Sequence, residues 1–219
     1  MKYLKNIIKK TPLFLIYLFV TKKKRENKLY KDELYIIKQW EQSGRYLPAP
    51  KEHKRNIIKK YADDYSISVL VETGTYEGET LNYFRNKFKK LISIELDYNL
   101  FNKAKYGLRK YKNIQLYNGD SGKIISQIIA DIREPILFWL DGHFSEGYTA
   151  KAELNTPIIS ELTIILNHNV EGHVILIDDA RCFDGTNDYP SIQFLQEFVH
   201  NKRPGLKFYS LDDIIRIHQ

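Results

Sequence analysis

The residues able to do chemistry cluster at five places, each directly after a short apolar run. The first is Glu72-Thr73-Gly74-Thr75-Tyr76-Glu77-Gly78. Glycines in such a turn let the backbone pass close to a ligand and enter a helix. The spacing is G-x-x-x-G rather than G-x-G-x-x-G, so a dinucleotide pyrophosphate is not brought onto a helix N-terminus. No G-x-x-x-x-G-K-[ST] occurs either, which argues against a nucleoside triphosphatase. A cofactor without phosphates fits better. Glu95 closes the second run, 21 residues after Gly74, where a carboxylate can accept both hydroxyls of a ribose. A plain strand-to-helix connection and a solvated strand-end acid are the alternatives. The other three places are Asn118-Gly119-Asp120-Ser121, Leu140-Asp141-Gly142-His143 and Ile177-Asp178-Asp179-Ala180-Arg181.

Positioning these residues requires a sheet. Apolar runs at 68–72, 91–95, 114–117, 136–140 and 174–177, with a later one at 206–209, alternate with helical stretches at 81–88, 99–108, 123–132 and 156–166. That alternation predicts a Rossmann-like, doubly wound α/β fold, its mostly parallel sheet covered by helices on both faces. In such sheets ligands bind beyond the carboxyl ends of the strands, where the five clusters fall. This domain is assigned to residues 65–219. Residues 1–64 form a helical N-terminal extension with helices at 31–43 and 53–62, separated by the breaker-rich S-G-R-Y-L-P-A-P of 43–50.

Charge divides along the same line. Residues 1–60 hold 17 Lys/Arg against 5 Asp/Glu, although the whole chain of 219 residues is only +7. The basic extension surrounds P-L-F-L-I-Y-L-F-V at 12–20, too short for the ~20 apolar residues of a membrane crossing. The T-K-K-K that follows offers no small-residue signal cleavage site. Residues 1–28 are read either as a contact with an anionic membrane surface or as a helix docked on its own domain or a second subunit. A single cysteine, Cys182, excludes an internal disulfide and suits the cytoplasm, with attachment to the inner membrane face as an extension of that reading.

The segments V-E-T-G-T-Y-E-G (71–78), I-S-I-E-L (92–96), N-G-D-S (118–121) and F-W-L-D-G-H (138–143) resemble successive motifs of class I S-adenosylmethionine-dependent methyltransferases. The resemblance covers roughly residues 65–183. It implies that Glu72, Gly74 and Gly78 line the amino-acid end of S-adenosylmethionine, and it counts Tyr76 and Asp141 among the cofactor-binding residues. It further implies that Glu95 holds the ribose and that Asp120 and Ser121 sit by the adenine. Within that superfamily the chain is most similar to macrocin O-methyltransferase-like sugar methyltransferases. In that family the acids matching Asp141, Asp178 and Asp179 bind Mg²⁺, and three clustered carboxylates do call for a hard cation. The implied reaction is O-methylation of a sugar hydroxyl in glycan or secondary-metabolite biosynthesis. His143 is the candidate base, since a neutral imidazole can take the hydroxyl proton near pH 7. That family usually carries an acid at this position.

Two other function classes are weighed. One is an iron-dependent hydroxylase on the same fold, using Asp141, His143 and Asp178 or Asp179. This matches poorly the usual triad of two histidines and one carboxylate. The other is a binding protein with a vestigial cofactor pocket. Nucleic acid is disfavoured as acceptor, because no N-P-P-Y-type motif follows the fourth run and residues 61–219 carry more acids than bases. A homo-oligomer is compatible with the composition. The stretch 144–150 reads as a loop closing over a small-molecule or glycan acceptor. Glu153 and Glu161 either reach the site or face water, the solvated reading being favoured for both; His168 and His173 have no assigned partner, and Arg181 is offered as a partner of the acidic cluster or of an anionic acceptor.

Overall fold

A computed structural model of the chain describes residues 12–141 and 156–219. The chain forms two compact units, Met1–Lys54 and Arg55–Gln219.

In the first unit, Pro12–Gln42 is one helix, α1, of 31 residues. The separate apolar stretch and helix expected from the sequence are continuous, because no glycine or proline interrupts residues 13–43. The helix ends at Gly44, whose φ of 93° a side chain would resist. Trp40 is buried there: its indole N–H donates to the Tyr46 carbonyl at 2.7 Å, and its ring lies 4.5 Å from that of His53. A second helix, α2, covers Lys51–Asp64, and its later residues Ile58, Tyr61 and Ala62 belong to the core of the larger unit.

The larger unit contains β1 (Val69–Thr73), α3 (Glu79–Phe84), β2 (Lys90–Glu95), α4 (Tyr98–Leu108) and β3 (Ile114–Asn118). It continues with α5 (Ser121–Ile129), β4 (Ile136–Leu140), α6 (Ile158–Leu166), β5 (Val174–Ile177), α7 (Ile192–Lys202), β6 (Lys207–Leu211) and β7 (Ile214–His218). The seven strands lie in the order β3-β2-β1-β4-β5-β7-β6. β1 to β5 are parallel, and β7 runs antiparallel to both β5 and β6.

The central strands are buried on both faces, so their apolar residues serve two cores in alternation. Val69, Val71, Ile92, Ile94 and Phe138 join Ile125, Leu162 and Leu195 from α5, α6 and α7. Leu70, Leu91, Leu137 and Trp139 join Ile58, Leu81 and Phe84 from α2 and α3. The expected doubly wound sheet with helices on both faces is the observed one. β7 was not foreseen: its Ile214, Ile215 and Ile217 are fully buried, inserted between β5 and β6. The turn before it is Asp212-Asp213, both at positive φ, as a two-residue hairpin requires.

Candidate active site

The register brings the carboxyl ends of β1, β2, β4 and β5 together. Past the strands the ladder continues for one residue: Gly74 N–H donates to Ile94 O at 2.9 Å, Asp141 N–H to Thr73 O at 3.1 Å and Asp178 N–H to Leu140 O at 3.0 Å. Glu72, Glu95, Asp141 and Asp178 therefore hang from neighbouring strand ends.

The turn after β1 is fixed by its glycines. Gly74 and Gly78 have φ of 84° and 75°. A Cβ on Gly78 would also stand 2.8 Å from the end of the Leu108 side chain of α4, which would have to shift, so the positive φ favours glycine and the close approach adds to it. Tyr76, itself at positive φ and exposed, donates its N–H to Glu95 Oε2 at 2.8 Å. Asp97 N–H donates to Oε1 of the same carboxylate at 2.9 Å. Each oxygen keeps a further lone pair, the number that two ribose hydroxyls require. Burial pushes the Glu95 carboxyl above its ordinary range, against the pull of these two amides.

Glu72 is 2% exposed and accepts the Ser93 hydroxyl at 2.7 Å, which shares a 2.6 Å hydrogen bond with Thr75. Burial raises its carboxyl to about 8; the Ser93 and Thr80 hydroxyls oppose the rise, and Asp141 and Glu95 add to it. Acids on β1 and β2 and the acid that follows β4 thus crowd one spot. A ligand with an ammonium and a sulfonium would answer that charge, so the residues present fit S-adenosylmethionine. After β3, Asp120 caps α5 by accepting Gly122 N–H at 3.0 Å, and Ser121 beside it is buried.

The acids after β5 are engaged differently. Asp178 Oδ1 accepts the N–H of Asp179 at 2.9 Å. Asp179, at φ 53°, accepts the Arg181 guanidinium at 2.8 Å, and Arg181 also pairs with the buried Asp213 of the β6–β7 turn. Within the acidic cluster, Arg181 is thus a partner of Asp179. Among the described residues no three His, Cys, Asp or Glu side chains group closely enough to hold a metal ion. The donor set Asp141, Asp178 and Asp179 does not fit a divalent cation while Arg181 neutralises Asp179.

Glu161 corrects its expected place in water. It is 1% exposed on α6, lining a small cavity with Asp141, Thr156, Asp178, Asp179 and Tyr189. Burial raises its carboxyl to about 7, opposed by the nearby Ser121 and Thr73 hydroxyls. Even so, Oε1 and the Thr73 hydroxyl complete no hydrogen bond among the described residues. His168 and His173 are each other's partners, with ring nitrogens 2.9 Å apart, at the opposite end of the strands. His143, Glu153 and the loop 144–150 lie outside the described residues.

No family model matches the chain. It is 25% identical over 167 residues to the ribosomal RNA small subunit methyltransferase A of Alkaliphilus metalliredigens, covering 70% of this chain and 54% of that protein. The chain thus spans about half the length of the curated relative it matches. Among solved structures it is similar to the O-methyltransferase TomG of Streptomyces achromogenes, with TM-score 0.55 and 14% identity, over 84% of this chain and 87% of that one. An O-methyltransferase from Bacillus cereus aligns with TM-score 0.54 and 12% identity, over 85% and 90%. TomG was solved with S-adenosylmethionine and the Bacillus cereus enzyme with S-adenosylhomocysteine. Strand order, register and these alignments agree: the chain has the class I S-adenosylmethionine-dependent methyltransferase fold.

Proposed function

We propose that this protein is an S-adenosylmethionine-dependent O-methyltransferase acting on a sugar hydroxyl in glycan or secondary-metabolite biosynthesis. The observation that carries the cofactor is the convergence of Glu72, Glu95 and Asp141 on one spot, beside the turn of Gly74 and Gly78. The cofactor supplies a methyl group made electrophilic by its sulfonium. Glu72 would hold the ammonium of its amino-acid end, Glu95 would take the ribose hydroxyls, and Asp120 and Ser121 would border the adenine. With the cofactor bound, its methyl group would pass to the acceptor oxygen, and His143 would be the base that takes the hydroxyl proton. The sugar rests on the resemblance of the acidic clusters to those of sugar methyltransferases. The TomG and Bacillus cereus enzymes bear the name O-methyltransferase, which supports oxygen as the methylated atom. Ribosomal RNA, in the name of the curated relative, is the rival acceptor, but Leu140-Asp141-Gly142-His143 offers no N-P-P-Y-type motif. The iron hydroxylase reading is disfavoured, since the solved structures the chain resembles are methyltransferases.

Calorimetry with S-adenosylhomocysteine tests the core of this. Micromolar-range binding is expected, weakened by at least about 100-fold in Glu95→Ala, which loses two charge-assisted hydrogen bonds. No binding to the wild type would reject the reading. In the same preparation His143→Ala should bind equally and turn over at least about tenfold more slowly in a sugar-acceptor screen. A change within about threefold would remove the base role.

A further inference from the structure

The face of α1 remains unexplained by methyl transfer. Its steps of three and four residues put Ile16, Phe19, Val20, Lys23, Asn27, Tyr30 and Leu34 on one side of the helix. All seven are exposed, Phe19 by 67% and Ile16 by 59%. Lys24 and Lys31 run along the border of this stripe and are exposed as well. The first acid in the sequence is Glu26, and through Lys31 ten lysines and arginines face only that one carboxylate. No helix among the described residues is long and apolar enough to cross a membrane.

Apolar and aromatic side chains interleaved with lysines on one helix face suit the interface of a bilayer. The apolar groups enter the acyl boundary, while lysine stems lie along it and their ammonium groups reach the headgroups. Nine consecutive apolar residues, 12–20, are flanked by Lys9 and Lys10 before and by Lys22, Lys23, Lys24 and Arg25 after. Cations at both ends keep such a segment in the plane of the surface rather than across it. We infer that α1 is an interfacial anchor that binds anionic lipid surfaces through the Ile16–Phe19–Val20 stripe and its surrounding lysines. Nucleic acid would use the same charge but has no need of the exposed Ile16 and Phe19, and a second copy of this chain would bring an equally basic helix against it.

The experiment is flotation of the full chain with vesicles of phosphatidylcholine alone or mixed with phosphatidylglycerol, at low and high salt. Flotation is expected on the mixed vesicles only, and lost at high salt. Replacing Lys22, Lys23 and Lys24 by glutamine should weaken it on the order of 100-fold. Ile16→Asp with Phe19→Asp should abolish it while S-adenosylhomocysteine binding and circular dichroism stay unchanged, which separates lost lipid binding from lost folding. The inference is overturned if the full chain stays at the bottom of the gradient at low salt, or if the double variant floats like the wild type. It is equally overturned if the double variant only converts a dimer to a monomer, or if the chain shifts RNA in a gel and ignores both kinds of vesicle.

Discussion

Under the proposed function, Glu72 would serve a ligand at a cost to the fold. Its carboxyl is raised to about 8 by burial, so the native state holds a proton that the unfolded chain, with an ordinary value near 4.5, releases. Stability on this account declines as pH rises from about 4.5 through 8, because the folded state binds more protons over that window. Glu72→Gln removes the penalty. It should leave Tm unchanged near pH 5 and raise it by at least about 3 °C near pH 8.5, as read by thermal scanning at the two values. The same variant should lose affinity for S-adenosylhomocysteine, whose ammonium would meet an amide in place of a carboxylate. The position of Glu72, like that of Glu95 and Asp141, was legible because each ends an apolar run. Glu161 was not: T-P-I-I-S-E-L reads as an ordinary helix start, and its burial depends on α6 packing against the Ser121 end of α5.

At the scale of elements, the two histidines before β5 form a clamp. Ile136 N–H donates to Nδ1 of His173 at 3.0 Å, so that nitrogen is unprotonated and the ring's N–H lies on Nε2. That N–H faces Nδ1 of His168, whose Nε2 then donates to the Ile129 carbonyl at 3.1 Å. The end of α5 and the start of β4 are thereby joined through neutral rings. Burial, with His168 and Arg203 nearby, lowers His173 to about 4. The unfolded histidine takes up a proton first, so this contribution is full above about 6.5 and lost as pH falls toward 4. Urea titrations across that range should show a drop of about 1–2 kcal/mol, after allowance for solvent near the rings, that is missing in His173→Gln. Equal slopes in both proteins would refute the clamp. The spacing of the histidines gave no hint of it, since only the folded turn brings their rings together. β1 to β5 were legible from their apolar runs because both their faces are covered. β7 was hidden because Arg216 and His218 interrupt its apolar residues, and Asp-Asp is a weak hairpin signal beside Asn-Gly. Arg216 is nonetheless buried, its guanidinium donating to the carbonyls of Leu211 and Ile214.

For the whole molecule, charge decides what the site needs from solution. Asp179 and Asp213 share Arg181, so the acidic wall after β5 already carries its own cation. Methyl transfer measured after EDTA treatment should therefore stay within about twofold of that in Mg²⁺. A loss of more than about tenfold, restored by Mg²⁺, would show that Arg181 yields its place and that Asp141, Asp178 and Asp179 are ligands after all. This contrast also bears on the metal that the family resemblance implied: three acids at two strand ends call for positive charge, and the guanidinium that meets one of them, Asp179, is set by the remote β6–β7 turn.

That turn also bears on how the protein is made. Strands β1 to β5 can pair with neighbours as they leave the ribosome, but β5 shows an open hydrogen-bonding edge until residues 214–218 arrive to fill it. The same arrival brings Asp213 to Arg181, so the nascent chain covers its exposed edge and braces its acidic wall in one event. Synthesis that stalls before this point leaves a sheet able to pair with other chains and a site whose wall lacks its brace.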